Sequence, residues 1–438
     1  MRETLAESLK PTRQRVLLTI ILFIGVFVAY MDRGNVSVLV ADPAFLNDIG
    51  IAGNPVKIGL IMTSYLVAFG LSSIIIPPFV SFLGPRKVMV LGIFVWAISL
   101  VVGATAFTFT SILVSRVLLG IGEGVSYPQS AVYIKNWIPP QERGRANTGW
   151  VVGQSISLAV TTPVIALFIA LSGWRESYWA LVVLAFVPMY LFWAHTSDKP
   201  RDHKKVNRQE LEYIEAGLSV EVTSGNEPRL GYKERFFVFA KEPRYWLIVM
   251  WFMLMNFNSF GIQTWLPSYL KVIRGFSWGQ MGFLASLPFV FLMFFKIGTG
   301  WITDKVSRNS VVRVLSVFSL LAAACIYGAV ITQNNYVSAV LIALSYALCG
   351  MGNAVIFVLV QDIVPAKVVG SAVGFLTGSS LLFASLSPVI MGYAIKLGSY
   401  GAGLFVLAGA SMMAAVITFI LTLPRFQKCP ENLGFGSV

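Results

Sequence analysis

The sequence predicts an all-α integral membrane protein with twelve transmembrane helices in two six-helix bundles. Three observations carry that prediction. Only 12% of the 438 residues are charged while 56% are hydrophobic, against the roughly 25% charged that a water-facing surface carries. Charge-poor runs of membrane-spanning length recur twelve times, six on each side of a charged segment. Short motifs of the first half return in the second.

A span needs ~20 mostly apolar residues to cross ~30 Å of hydrocarbon. Such runs lie at 16–40, 58–80, 86–107, 110–134, 146–171 and 176–195, then at 244–270, 279–303, 311–331, 336–361, 368–396 and 401–423. The stretch 314–361 has no charged residue and is divided at "TQNN" (332–335), a turn signal. The expected organisation is a first bundle at 1–195, a cytoplasmic linker loop at 196–243, and a second bundle with a cytoplasmic tail at 244–438. The polar start "MRETLAESLKPTRQR" runs into a full-length apolar segment without a small-residue cleavage site, so no cleavable signal peptide is expected.

Lysine and arginine set the orientation. With the N-terminus cytoplasmic, 25 of the 33 basic residues fall on the inner side. Five fall outside (Lys57, Arg175, Lys271, Arg274 and Lys396), and Arg33, Arg116 and Lys296 lie within spans. The net charge of +13 is therefore a topology signal, and nucleic acid is not needed to explain it. Both termini are expected inside, in a cell (inner) membrane. Cys325, Cys349 and Cys429 are odd in number, two of them in apolar runs, and form no disulfide framework. In the linker, Asn207 and Glu210 stand at capping-box spacing before "LEYIEAGL", which predicts a short surface helix.

The repeats support two like-oriented halves. "GIGEG" (120–124) corresponds to "GMGNA" (350–354), "IPPQERGRA" (138–146) to "VPAKVVGSA" (364–372), and "SFLGPRK" (81–87) to "TDKVSRN" (303–309). Parallel repeats with a site between them are a transporter plan.

Away from the span ends, charge is confined to Asp32, Arg33, Arg116, Glu123 and Lys296. Each costs at least ~2.5 kcal/mol at the bilayer centre, so each should face the bundle interior or a wet cavity. They would suffice merely to lock helices together, but four of the five fall in spans 1 and 4. At ~1.5 Å per residue, Asp32 lies ~24 Å from the inner face and Arg116 ~9 Å from the outer face, depths that agree to within a turn. An Asp32–Arg116 ion pair is therefore geometrically available, with Glu123 on the Arg116 face about two turns deeper. A buried carboxylate without a permanent partner can gain and lose protons near neutral pH, which makes Glu123 and Asp32 candidate proton carriers. Arginine offers planar bidentate donors to a carboxylate, so Arg33 and Arg116 are candidate anion ligands. An anion competing for an arginine would free that arginine's carboxylate partner to protonate, coupling the two movements.

Tyr65 in span 2 and Gln154 in span 5 match the depths of Asp32 and Glu123. In the second half the polar candidates are Asn256, Asn258 and Gln263 in span 7, Asn353 in span 10, and Thr377, Ser379 and Ser380 in span 11. Each alone is more often an interhelical hydrogen bond than a ligand. Asn353 is the repeat equivalent of Glu123. Lys296 lies near the inner end of span 8 and is expected to snorkel to headgroups. Gly120, Gly122 and Gly124 permit close helix packing. No P-loop occurs, and His195 and His203 sit at a span end and in the linker, so no enzymatic constellation is expected.

Three segments carry a resemblance. "MDRGNVS" (31–37), "RVLLGIGEGVSYP" (116–128) and "NSFGIQTWLPSYL" (258–270) resemble the first-, fourth- and seventh-helix patterns of the major facilitator superfamily, and within it the anion:cation symporter family. The resemblance implies the twelve-helix facilitator fold, alternating access, and in bacterial members proton-coupled uptake of organic anions, commonly sugar acids such as hexuronates, aldonates or aldarates. By position, Asp32 and Glu123 match the proton-linked acids, and Arg33, Arg116, Tyr65 and Gln154 the polar cavity. Asn256, Gln263, Asn353 and Ser379 are the second-half substrate candidates. Of the superfamily's gating motif, Gly84, Arg86 and Lys87 are present after span 2, and Asp304 and Lys305 after span 8. Ser81 and Phe82 stand where the first copy's Asp-Arg pair belongs, which puts the first-half latch in doubt.

The expected function is therefore secondary symport of a small organic anion with protons. An exchanger or uniporter for aromatic acids, sulfonates or dicarboxylates is the alternative, and a membrane sensor on the same scaffold a lesser one. No cofactor beyond the coupling proton is expected. The expected partners are the anion and membrane lipid, with the chain acting as a monomer.

Overall fold

The computed structural model describes residues 11–223, 232–305, 308–364 and 368–423. Among them there is no strand, and twelve helical spans have the length and apolarity to cross a membrane. In chain order the α-helices are α1 (Gln14–Leu39), α2 (Pro43–Asp48), α3 (Pro55–Val80), α4 (Pro85–Ala104), α5 (Phe109–Gly124), α6 (Ser126–Trp137), α7 (Arg143–Leu171), α8 (Trp174–His195), α9 (Arg208–Thr223), α10 (Tyr232–Ala240), α11 (Pro243–Ser268), α12 (Trp278–Lys305), α13 (Arg308–Ile331), α14 (Asn335–Ile363), α15 (Val369–Ala384), α16 (Ser387–Leu397) and α17 (Tyr400–Leu421). Spans 4 and 11 are each built from two of these, α5 with α6 and α15 with α16, and the other spans from one. Span 7 continues from α11 into a π-helical turn at Tyr269–Ile273.

Helix starts follow side-chain chemistry. Thr108 and Ser111 form a reciprocal capping box on α5, and Ser399 caps α17. Asn334 accepts from Tyr336 N (3.0 Å) and Val337 N (3.2 Å), so the turn expected at "TQNN" divides α13 from α14.

Span 4 is interrupted at Val125, which the sequence reading does not foresee. Pro128 has no N–H to return to the carbonyl of Gly124 four residues earlier. Ser73 of α3 supplies the missing donor, its Oγ lying 2.8 Å from Gly124 O. In span 11, Pro388 stands at the second position of α16, where a missing N–H costs little.

The structure divides into two compact units. The first takes in Met1–Arg229, Gln263–Val290 and Pro388–Leu397; the second takes in Leu230–Ile262, Phe291–Ser387 and Gly398–Val438. In the first, Trp265 Nε1 donates to Pro388 O (3.1 Å) and Ser268 Oγ to Val40 O (3.0 Å). In the second, Asn258 Nδ2 donates to Ser411 Oγ (2.9 Å), tying α11 to α17.

The linker's first helix, α9, is packed into the first unit rather than free in solvent. Asn207 caps it, accepting from Glu210 N at 2.9 Å, as the spacing predicts. Glu210 does not complete the box. Its buried carboxylate accepts instead from Gln14 N and Arg15 N at 3.1 Å each, in the first turn of α1. Thr12 Oγ1 accepts from Asn207 N (3.1 Å) in its place. Each helix is thus capped from the other's strand of chain. Arg15 links Glu210 (3.2 Å) to Glu142 (2.9 Å), which also accepts from Tyr213 OH (2.9 Å). Those bonds from Arg15 and Tyr213 hold the Glu142 carboxyl below its ordinary range.

The loop after span 2 answers the missing Asp-Arg pair. Gly84 has φ 79°, a left-handed conformation that suits glycine, and it has no side chain with which to cap α4. Asp198, just after span 6, accepts from Arg86 N at 2.8 Å and lies where a Gly84 Cβ would collide with it. Arg86 lies over the Trp193 ring (4.7 Å) and donates to Trp193 O. Lys87 is exposed. Asp304 and Lys305 end α12, and their side chains lie outside the described residues.

Candidate functional site

The site begins with three glycines. On α5, Cβ atoms added at Gly120, Gly122 and Gly124 would fall 2.6 Å from Tyr65 O, Gly92 O and Ser72 Cβ respectively. The backbones of α3 and α4 therefore lie directly on α5, and this close approach brings Tyr65 of α3 to Glu123 of α5.

Glu123 is 1% exposed. Its Oε2 accepts from Tyr65 OH (2.7 Å) and from Arg33 Nε (3.0 Å), while Oε1 has no hydrogen bond from the described residues. The guanidinium of Arg33 lies against the rings of Tyr30 (4.2 Å), Phe69 (4.4 Å) and Tyr65 (5.3 Å). This is a charge pair inside an aromatic box, where cation–π contact offsets some of the lost hydration. Around it, Tyr30 OH and Tyr127 OH lie 2.8 Å apart, and Gln154 Nε2 donates to Tyr127 OH. Tyr30, Tyr127 and Gln154 are all partly exposed.

The arginine pairing differs from the expected one. Asp32 and Arg116 form no ion pair; Arg33 and Glu123 do. Side chains on a helix lean toward its N-terminus, and spans 1 and 4 run in opposite directions. Arg33 therefore leans down its helix while Glu123 leans up its own, which brings the two side chains together across the difference in depth of their backbones. Asp32 faces elsewhere on α1, since successive residues are turned by about 100°.

Asp32 is fully buried, and its Oδ2 accepts from Trp96 Nε1 of α4. Arg116, 1% exposed, lies within electrostatic reach of Asp32 and Glu123. Its Nη2 makes a long 3.5 Å contact with Tyr178 OH of α8. The four charges thus form two groups: Arg33–Glu123 beside the partly exposed tyrosines, and Asp32–Arg116 shut inside the first unit.

The second-unit candidates are more dispersed. Asn256 Nδ2 donates to Ser380 Oγ (3.0 Å) and to Phe252 O (2.9 Å), joining α11 to α15. Ser379 bonds back to Leu376 O within its own helix (3.3 Å), as Thr377 does to Val373 O (2.9 Å). Gln263 is half-buried and belongs to the first unit. The Asn353 side chain lies outside the described residues. Lys296 is exposed on α12, nine residues before the helix ends. Among the described residues no cluster of His, Cys, Asp and Glu could hold a metal ion.

Tyr30, Phe69, Trp96, Tyr127 and Tyr178 are missed by the sequence reading. Two of them carry a usable signal: Tyr30 precedes Arg33 by three residues and Tyr127 follows Glu123 by four, both same-face spacings on a helix.

Twelve spans enclosing a buried charge pair define a multi-pass membrane protein. The model of the Major Facilitator Superfamily matches residues 22–364, and the chain belongs to that superfamily. Among curated relatives, it is 28% identical over 412 residues to "Probable sulfoacetate transporter SauU" of Cupriavidus necator, covering 91% of each chain. It is 24% identical to the "D-galactonate transporter" of Escherichia coli O6:H1, over 94% of this chain and 96% of that one. It is also 24% identical to the "Hexuronate transporter" of Bacillus subtilis, over 93% and 94%. Among solved structures, a bacterial homologue of the human lysosomal transporter Spinster, inward-facing and unoccupied, superposes with a TM-score of 0.74 at 16% identity, over 93% of this chain and 97% of that one. A D-xylose-proton symporter gives 0.71 at 16%, over 93% and 98%. The protein is a facilitator-superfamily transporter and not an enzyme.

Proposed function

We propose that the protein takes up a small organic anion of the sugar-acid class together with protons, by alternating access. The observation that carries this reading is the Arg33–Glu123 pair, 3.0 Å apart inside an aromatic box. A carboxylate substrate competes for the guanidinium, and Glu123 released from it takes up a proton, so anion and proton move together. Tyr65 holds Glu123, while Tyr30, Tyr127 and Gln154 present hydroxyl and amide groups to a hydroxylated anion. Asp32 is a second proton-linked carboxylate. Relatives named for galactonate, hexuronate and sulfoacetate transport support an anionic cargo. The highest identity quoted belongs to the sulfoacetate relative, which makes a sulfonated acid the second reading. In this proposal both termini are cytoplasmic in a cell inner membrane, and the monomer is the working unit.

The test uses purified protein in proteoliposomes, offered D-galactonate, D-glucuronate, D-glucarate and sulfoacetate with and without an inward proton gradient. At least one should accumulate only with the gradient, and an outward-to-inward anion gradient should acidify the lumen. Glu123→Gln should abolish gradient-driven accumulation and keep counterflow of the same anion. Concentrative uptake surviving in Glu123→Gln would remove the proton role from that residue, and unchanged anion affinity in Arg33→Ala would remove Arg33 from the site.

A further inference from the structure

We infer that Asn35 and Arg116 hold a single water molecule against the open oxygen of Asp32, while Trp96 fixes the other oxygen, making a closed proton-loading compartment separate from the Arg33–Glu123 pair. The inference deepens the proposed function, because it rests on reading Asp32 as proton-linked.

Three buried polar atoms carry it. Asp32 Oδ1, Asn35 Nδ2 and Arg116 Nε have no hydrogen-bond partner among the described residues, and all three residues are at most 1% exposed. Buried polar side chains are nearly always satisfied, by protein or by ordered water, and a buried water takes about three hydrogen bonds. Three relations place them in one neighbourhood. Asn35 follows Asp32 by three residues, on the same face of α1. Ser177 Oγ reaches Asn35 Oδ1 at 3.1 Å, and the next residue, Tyr178, receives Arg116. Asn35 and Arg116 thus contact consecutive residues of α8, and Arg116 and Tyr178 both lie within electrostatic reach of Asp32. One acceptor and two donors are the set that a water donating to Asp32 and accepting from the other two would satisfy.

The groups around Asp32 are few. α5 brings Arg116 and Glu123 within electrostatic reach, and α8 brings Tyr178. α4 contributes Trp96. α7 meets this part of α1 through uncharged Ser157 and Thr161, the former bonded to Phe27 O and the latter packed at Gly34. A hydronium passing its proton through the bridging water loads Oδ1: the water gives one proton to Asp32, takes one from the hydronium, and remains water. Oδ2 is then the carbonyl oxygen that goes on accepting from Trp96. Trp96 and Asn35 act through Asp32 as positioning residues.

The test is infrared difference spectroscopy of the full chain in lipid through a pH titration, without any substrate. The protonated carboxyl band is assigned by its loss in Asp32→Asn. In the wild type, a water O–H band that titrates with it should shift in H2(18)O. Asn35→Ala should abolish that water band, and Trp96→Phe should move the carboxyl C=O band to higher frequency, as for a carbonyl that has lost a donor. A carboxyl band present with no 18O-sensitive partner in the wild type overturns the compartment and leaves the proton role of Asp32 standing. No band that depends on Asp32 overturns both. Because the wild-type measurement needs no variant beyond the assignment, poor folding of the others does not decide it, and a failure of anion uptake in proteoliposomes leaves it untouched.

Discussion

Arg33 Nε stands 3.0 Å from Glu123 Oε2, although its neighbour Asp32 is turned toward Trp96. Two adjacent residues of one span therefore serve two different partners on two different helices.

Removing one partner of a buried pair leaves the other uncompensated, at a cost of about 3–5 kcal/mol. Arg33→Met should therefore lower the melting temperature of the purified protein markedly. The double variant Arg33→Met/Glu123→Leu should lose less than the sum of the two single losses. A melt in detergent showing strict additivity would mean that the pair does not couple.

The glycines of α5 set the distance from Tyr65 to Glu123. A methyl at Gly120 would lie 2.6 Å from Tyr65 O and has no flexible neighbour to displace. Gly120→Ala should destabilise by about 1–3 kcal/mol, the usual cost of overpacking. Gly144, with nothing within 4 Å of an added Cβ, should instead gain about 0.4–1 kcal/mol on substitution by alanine. Thermal melts of the two variants moving in the same direction would contradict this packing.

Asp198 takes the place of a cap that Gly84 cannot provide. Asp198→Ala should cost about 0.5–2 kcal/mol, as lost helix caps do, with Asp198→Asn closer to wild type. Gly84→Ala should cost more than either, since it adds both a strained φ and a collision with Asp198. Unfolding measurements that rank Gly84→Ala as the mildest of the three would refute the arrangement.

Glu142 gives a pH signature outside the membrane. Its carboxyl is held below the ordinary range chiefly by the hydrogen bond from Arg15, so its contribution is fully present above the ordinary value of about 4.3. That contribution is lost as pH falls through the lower folded value. The melting difference between wild type and Glu142→Gln should be largest near neutral pH and shrink on acidification. Its size is roughly 0.2–1 kcal/mol, since Glu142 is partly exposed. A difference that stays constant down the acid limb would exclude the assignment.

Much of this molecule is legible in its sequence, because bilayer thickness fixes span length and charge is rare within spans. The twelve spans follow from those rules, and the turn at 332–335 and the Asn207 cap from local turn and capping-box signals. So does the grouping of Asp32, Arg33, Arg116 and Glu123 around spans 1 and 4. The pairing among those four does not, because depth along the membrane normal says nothing about rotation about each helix axis. Nor does the break at Val125, since a proline inside an apolar run can either kink or be absorbed, as Pro163 is within α7. The role of Asp198 is hidden for a different reason: its partner Gly84 is more than a hundred residues away in the chain, and no local spacing links them.

Glu210 closes the first turn of α1 from 196 residues downstream of Gln14. At a synthesis rate of roughly 5–20 residues per second, the carboxylate emerges on the order of 10–40 s after the donors it satisfies. Helix α1 therefore waits, with its opening N–H groups unclaimed by Glu210, until the six spans between them have been translated. Its final seating is an event of the linker's birth, so the order of translation is written into the completed contact.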